Sequence, residues 1–336
     1  MRKNLVTITT ILIAVKTSST LADAANYGPR LEGFSYPYEM KHYKFESQGQ
    51  RLEMAYMDVM PTHDANGKTV ALLHGKNFCG VTWEKTIASL ADAGYRVITP
   101  DQVGFCASSK PEGYQFSLGQ LAANTDSLLA SLGIENVILG GHSMGGMLAA
   151  RYSIQYAEKV EQLFLVNPIG LEDWQAEGVP YATVDQLYQG ELQENTQSIK
   201  AYQQRFFYGG EWKDDYDRWV TMQVGLRAGP GGQQYAYNQA QTSEMLFSQP
   251  ILYELGRISA RTFLLIGGRD RTALGAGRAA PEVAARLGNY PLLAKSAAKQ
   301  ITGSKLIEFP ELGHSPQLQE PEKFHKVLLK ALSSPS

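Results

Sequence analysis

Ser143 stands in Gly141-His142-Ser143-Met144-Gly145, directly after the short apolar run Val137-Ile138-Leu139. A serine hydroxyl is a weak nucleophile at neutral pH, so it must be exposed, aimed and deprotonated by a neighbour. A strand, a tight turn and a helix start achieve the first two. The turn forces the serine into a strained backbone, and the positions two before and two after must then be glycine. The base comes from six histidines. His42 and His63 precede the first buried strand, and His74, beside Gly75, suits the bracing of a loop. His142 adjoins the serine, so its side chain is expected to point away from the nucleophile. His325 falls in the closing helix and is expected at the surface. His314 remains, in Glu311-Leu312-Gly313-His314-Ser315-Pro316, a loop directly after the last strand. That position brings it to the same sheet edge as Ser143.

An imidazole acting as general base needs a carboxylate to fix its tautomer and stabilise the imidazolium. Asp270, in Gly267-Gly268-Arg269-Asp270-Arg271, follows another strand and fits that role. Its bland alternative is an ion pair with Arg269 or Arg271 on a solvated turn. Asp101, in Pro100-Asp101-Gln102-Val103-Gly104, is the rival acid and better suits bracing its own loop. A tetrahedral oxyanion needs two N–H donors. One is expected from Met144, at a helix start where the dipole favours negative charge. The second is expected from Lys76 in the loop His74-Gly75-Lys76-Asn77, with Asn77 and Phe78 as alternatives. This chemistry is acyl transfer, needs no metal or organic cofactor, and slows as the imidazole protonates.

The positioning elements are legible as strands alternating with helices. His42–Ser47 and Arg51–Val59 alternate apolar and polar residues, as a half-solvated antiparallel pair does. Thr69–Leu73, Tyr95–Pro100, Val137–Leu139, Val160–Val166, Thr262–Ile266 and Lys305–Phe309 read as strands, most of them continuous apolar runs covered on both faces. Helices are predicted over Thr82–Ala93, Leu118–Leu132 capped by Ser117, Gly145–Tyr156, Pro281–Ile301 and Pro321–Leu332. This alternation implies a parallel sheet with helices on both sides. Between Asn167 and about Ser259 the strands stop and aromatic residues crowd in. Helical period is visible there in Val184–Phe206 and Tyr216–Leu226, with a flexible break at Gly229–Gly232.

The chain has 336 residues, 43% hydrophobic and 19% charged, with a formal charge of −2. A small net charge without a Lys/Arg block argues against nucleic acid as a partner. Residues 1–24 read as a signal peptide: Arg2 and Lys3, an apolar stretch Leu5–Val15, then Ala22-Asp23-Ala24 as a cleavage pattern. That stretch is too short for a stable membrane anchor. The expected location is periplasmic or secreted, with cleavage near Ala24. Cys79 and Cys106 are the two cysteines, in loops after predicted strands. A disulfide and a pair of half-buried thiols are both open.

Taken together, His74-Gly75, Asp101-x-x-Gly104, the serine turn, the Asp270 turn and Gly313-His314 resemble an α/β-hydrolase of the esterase, epoxide hydrolase and iminopeptidase-like branch. The resemblance covers roughly Phe45–Ser333. It implies a mostly parallel, doubly wound sheet built from residues 25–170 and 259–336, with a helical cap over 171–258 as a lid. It also distinguishes relatives: epoxide hydrolases and haloalkane dehalogenases of this fold carry aspartate where this chain has Ser143. Asn77 replaces the proline of the commoner His-Gly-x-Pro pattern, which puts the geometry of the second oxyanion donor in question.

The leading expectation is therefore hydrolysis of a carboxylic ester or related small-molecule acyl compound, with an apolar or aromatic group suggested by the lid. Lactone opening uses the same residues. An aminopeptidase would need acids in the cap, for which Glu211, Asp214, Asp215 and Asp217 are candidates. A carbon–carbon bond hydrolase would need a cation, for which Arg205, Arg218 and Arg227 are candidates. A non-catalytic binding protein on this scaffold would be expected to lack one of the three residues, and all are present.

Overall fold

The computed structural model describes residues 25–334. The proposed signal peptide lies outside them. Eight strands form one sheet in the order β1-β2-β4-β3-β5-β6-β7-β8. They are β1 (Met40–Ser47), β2 (Gln50–Val59), β3 (Thr69–Leu73), β4 (Arg96–Pro100), β5 (Val137–His142), β6 (Val160–Val166), β7 (Arg261–Gly267) and β8 (Lys305–Phe309). β1 and β2 pair antiparallel, as do β2 and β4, and every other pairing is parallel. The predicted mostly parallel, doubly wound sheet is the observed one.

Successive side chains of a strand point to opposite faces, so each buried strand feeds two cores. Ala71, Leu73, Leu139, Leu163, Leu165, Leu264 and Ile266 share one apolar cluster. Val70, Leu72, Ile138, Phe164, Val166, Phe263 and Leu265 share the other. The first is covered by α2 (Leu118–Ser131), α3 (Met144–Gln155) and, further along, α9 (Tyr290–Gln300). The second is covered by α1 (Glu84–Asp92) and α11 (Pro321–Ser333). Ser117 caps α2 by accepting from the Gln120 N–H at 3.0 Å, as its position predicts.

From β3 the chain moves out to β4 and then returns to the other side of β3 as β5. This reversal opens a crevice at the carboxyl ends of β3 and β5, where ligands bind in open parallel sheets. The loops after β3 and β4 are joined by a Cys79–Cys106 disulfide with a Cα–Cα distance of 5.8 Å. Of the two states left open by the sequence, the bonded one is present. Closing its 27-residue separation is worth about 3–4 kcal/mol in a chain-entropy account.

Between β6 and β7 lie α4 (Val184–Gln193), α5 (Thr196–Tyr202), a single π turn at Gln203–Phe207, α6 (Asp217–Ala228) and α7 (Gly232–Ser248). Two features differ from expectation. The helix read through Val184–Phe206 is broken at Glu194–Asn195, because Asn195 turns outward to cap α5 and accepts from the Gln197 and Ser198 N–H groups. α7 was not read at all: its sequence is rich in Gln, Asn, Thr and Ser, so no apolar stripe announces it. The stretch Pro281–Ile301 is likewise two helices, α8 (Pro281–Ala284) and α9, separated at Gly288, whose φ is +66°. A short α10 (Pro316–Gln319) precedes α11. Among the described residues, no helix is long and apolar enough to cross a membrane.

Candidate active site

Ser143 occupies the turn between β5 and α3 with φ +56° and ψ −117°. A non-glycine residue in this region costs on the order of 1–3 kcal/mol and persists only where the surroundings enforce it. They do so here. A Cβ on Gly141 would overlap the Gly145 carbonyl, and one on Gly145 would overlap the Leu73 carbonyl. Both glycines are thus required for the turn to close against β3. The Ser143 carbonyl accepts from the Gly146 and Met147 N–H groups, which ties the turn to the first turn of α3.

Asp270 and His314 meet from the ends of β7 and β8. His314 Nδ1 lies 2.6 Å from Asp270 Oδ2, and both side chains are fully buried. The carboxylate can only accept, so Nδ1 carries the proton and the lone pair of neutral His314 sits on Nε2. That Nε2 is buried with no partner. Ser143 and His314 line the same cavity, together with Gly75, Lys76, Asn77, Phe78 and others. Asp270 is held by two further donors: Asn167 Nδ2 to Oδ2 at 2.8 Å and the Thr272 N–H to Oδ1 at 2.8 Å. Sequence reading missed Asn167. It follows β6, has φ +40°, and accepts from the Gly267 N–H at 2.9 Å through its own Oδ1. Asn167 therefore locks the ends of β6 and β7 together around the carboxylate. The Asn167-Pro168 pair, a turn signal, was the available hint.

The remaining candidates fall into place by their partners. His74 accepts from the Gln102 N–H at Nε2 (3.0 Å) and donates from Nδ1 to the Gly75 carbonyl (2.8 Å). It braces the loops after β3 and β4, and burial lowers its pKa, as a neutral bracing imidazole requires. Asp101 accepts from the Gly80 and Ala107 N–H groups and from the Tyr36 hydroxyl, so it too braces loops and does not approach His314 through any hydrogen bond. The bland alternative for Asp270, an ion pair with Arg269 or Arg271, is not what its carboxylate makes: Arg269 lies near Glu211, and Arg271 donates to backbone carbonyls.

Two histidines depart from expectation. His142 is not turned away from the site; it lines the Ser143 cavity, and its Nε2–H donates to the His314 carbonyl at 2.8 Å. Burial and the neighbouring His314 push its pKa well below the usual imidazole range, so it is neutral. His325 is buried, not at the surface, because its face of α11 packs on α1, where it meets Thr86 Oγ1 at 2.9 Å.

For the oxyanion, Met144 is the first residue of α3, and Lys76 and Asn77 line the cavity. The Phe78 N–H is already donated to the Gly75 carbonyl, which removes that alternative. The segment between β6 and β7 supplies the roof: Trp174, Tyr202, Phe207 and Leu246 line the same cavity. The π turn is stitched to the base loop, since the His314 and Ser315 N–H groups donate to the Phe206 and Phe207 carbonyls, both at 3.1 Å. The Phe207 ring stacks on His314 at 5.2 Å between centroids. Other aromatics of this region pack on one another, as Tyr208 does on Tyr216. The cavity at Ser143 is narrow, about 40 Å³, and abuts a second of about 150 Å³. Among the described residues the close cluster of metal-ligating types is Cys79, Asp101 and Cys106. Its sulfurs are bonded to each other and its carboxylate is committed to the donors above, so its chemistry does not suit an ion.

A family model for the alpha/beta hydrolase fold matches residues 68–220. The crystal structure of a probable hydrolytic enzyme from Pseudomonas aeruginosa PAO1 is 55% identical, covers 93% of this chain and 99% of its own, and has a TM-score of 0.91. This chain belongs to the alpha/beta hydrolase fold family. It is also similar to a putative non-heme chloroperoxidase from Synechocystis, 33% identical over 42% of this chain and 52% of the relative. Epoxide hydrolase A from Mycobacterium tuberculosis is 28% identical over 53% of this chain and 54% of its own. The chain thus spans about half the length of these two relatives. An esterase from Exiguobacterium antarcticum shares the fold, at TM-score 0.68 and 23% identity over 88% of this chain and all of its own.

Proposed function

We propose that this hydrolase cleaves carboxylic esters or closely related acyl compounds through an acyl-enzyme. The observation that carries this reading is the conjunction at one cavity of a serine held at φ +56° and a buried imidazole whose Nδ1 is bound to a carboxylate and whose Nε2 has no partner. His314 Nε2 takes the Ser143 proton as Oγ attacks the acyl carbon. The negative charge formed on the acyl oxygen is met by the N–H groups of Met144 and Lys76. His314 then returns the proton to the leaving alcohol, and the acyl–oxygen bond breaks. Water, deprotonated by the same nitrogen, attacks the acyl-serine, releasing the acid and restoring Ser143. Asp270 keeps the tautomer and stabilises the imidazolium. Residues 171–258 act as the lid, and the disulfide suits the oxidising compartment proposed for the exported chain.

The acids suggested for an aminopeptidase do not line the Ser143 cavity. Glu211 lies near Arg269, Asp217 binds Lys200, and Asp214 and Asp215 flank a separate surface cleft. The test is a panel of p-nitrophenyl esters of graded acyl length beside amino-acid arylamides and lactones. Ester turnover well above that of the arylamides and lactones supports the reading. Turnover of arylamides alone overturns it, and turnover of lactones alone narrows it to cyclic esters.

A further inference from the structure

The cavity at Ser143 and the larger one beside it share Lys76, Asn77, Tyr202 and Leu274 as walls. At the far wall stands a largely enclosed ionic cluster, its side chains 11–13% exposed. Lys76 Nζ binds Glu191 Oε1 at 2.8 Å and Arg227 Nη2 binds Glu191 Oε2 at 2.6 Å. Burial pushes the Glu191 carboxyl up, but Lys76 and Arg227 outweigh it and hold it ionised. Two cations against one carboxylate leave this layer with an excess positive charge. The other acid facing it, Glu194, is exposed at the mouth and accepts from Ser198 Oγ at 2.6 Å.

Two glutamines complete the wall, Gln203 and Gln223, exposed by only 1% and 3%. Gln203 Nε2 and Oε1, Gln223 Nε2 and Arg227 Nε are all buried without a hydrogen-bond partner. Buried polar groups are ordinarily paired. Four orphan atoms on three residues that line one cavity mark a wall whose polar groups gain a partner when a ligand draws them toward it. Donors outnumber acceptors among them, and a carboxylate, with about four lone-pair sites, accepts from such a set. Glu191 meanwhile offsets one of the two cations in the empty wall and leaves the other for a ligand. Arg205 and Arg218, the other arginines suggested for an anionic substrate, are elsewhere: Arg205 lies over the Phe206 ring, and Arg218 binds Glu84 and the Ser35 carbonyl.

We infer that Lys76, Gln203, Gln223 and Arg227 form a recognition subsite for a carboxylate on the non-reacting arm of the substrate, so that the preferred substrates are esters of acidic molecules. The inference rests on the hydrolase reading for its catalytic consequence but not for the binding itself. Lys76 has two parts in it: its backbone lies in the oxyanion loop and its side chain anchors the subsite.

The test compares mono-p-nitrophenyl adipate, which carries a free carboxylate, with its methyl-capped neutral counterpart. The expected ratio of kcat/KM favours the acid by at least about tenfold, mostly through KM. In Gln203→Leu and Gln223→Leu that ratio falls towards one, while Tm holds or rises because an unpaired amide has been removed. Arg205→Gln keeps the ratio. Adipate binding to Ser143→Ala protein, measured by calorimetry, is read alongside: saturable binding that is lost on adding Gln203→Leu is expected. Equal cleavage of both esters, or a ratio unmoved by both glutamine variants, overturns the subsite and leaves the hydrolase reading standing. If neither ester is cleaved, the hydrolase reading fails and the adipate titration alone decides the subsite.

Discussion

The loops at the carboxyl edge of the sheet hold their buried carboxylates in hydrogen bonds, whereas the helices inserted above them leave several buried amides and a guanidinium nitrogen without a partner. In the sheet loops His74 uses both ring nitrogens, Asp101 satisfies three donors, and Asp270 is held by His314, Asn167 and the Thr272 N–H. His314 Nε2 is the unpartnered ring nitrogen there, and the Thr272 and Ser315 hydroxyls beside it are unpartnered too. In the inserted helices Gln203, Gln223, Arg227, Asn238 and Gln239 each leave a buried polar atom without a partner. A satisfied network holds one geometry, and an unpaired buried group is costly until something pairs it. Under the proposed function the comparison separates two jobs: the sheet loops fix the reacting groups, and the inserted helices carry substrate preference.

The sharpest way to break this division is to attack the fixed side. Ser143→Ala should reduce ester turnover by about 10⁴–10⁶-fold with the fold intact, as removal of a nucleophile from a triad does. A loss of less than tenfold contradicts the role. Asp270→Asn should cost about 10⁴-fold in kcat, with circular dichroism unchanged, because the imidazole loses its tautomer partner. Removing the disulfide with Cys79→Ser and Cys106→Ser should lower stability by about 3–4 kcal/mol, read from denaturant titration. Cys79 lies in the loop that carries Lys76 and Phe78 to the Ser143 cavity, so a modest fall in kcat should accompany the lost stability. Asn167→Ala probes how far the sheet loops depend on one residue. It leaves the Gly267 N–H short of an acceptor and should cost about 1–3 kcal/mol of stability, with a lower kcat.

How much of this was legible beforehand follows the same division. Ser143, Asp270 and His314 each sit in a glycine-containing loop directly after an apolar run, so a parallel sheet brings them to one edge whatever its details. Asn167 was illegible because its role depends on β6 lying beside β7, which only the strand order reveals. His142 was misjudged because the turn rotates its ring under the base loop to reach the His314 carbonyl. α7 carries a largely polar sequence and was invisible to periodicity. Arg227 stood among three candidates, and only its packing against Glu191 separates it from Arg205 and Arg218.

A last expected effect, silent at neutral pH, is on the pH dependence of stability. Burial lowers the pKa of His74 and His142, and that of His325 to about 4. These imidazoles protonate more readily in the unfolded chain. Their contribution is therefore complete above the unfolded imidazole pKa of about 6.5 and is lost as pH falls towards the folded values. Tm should decline between pH about 6.5 and about 4, and His325→Gln should flatten that slope without altering turnover at neutral pH. A Tm that is flat across the range contradicts the neutral, buried assignment.

The most direct test of the central claim is labelling of the folded protein with a fluorophosphonate, with the modified residue mapped by mass spectrometry. Stoichiometric modification at Ser143, absent after denaturation and slowed by orders of magnitude in His314→Ala, is the predicted result. An unlabelled Ser143, or labelling indifferent to His314, would contradict the proposed partnership of elbow and imidazole.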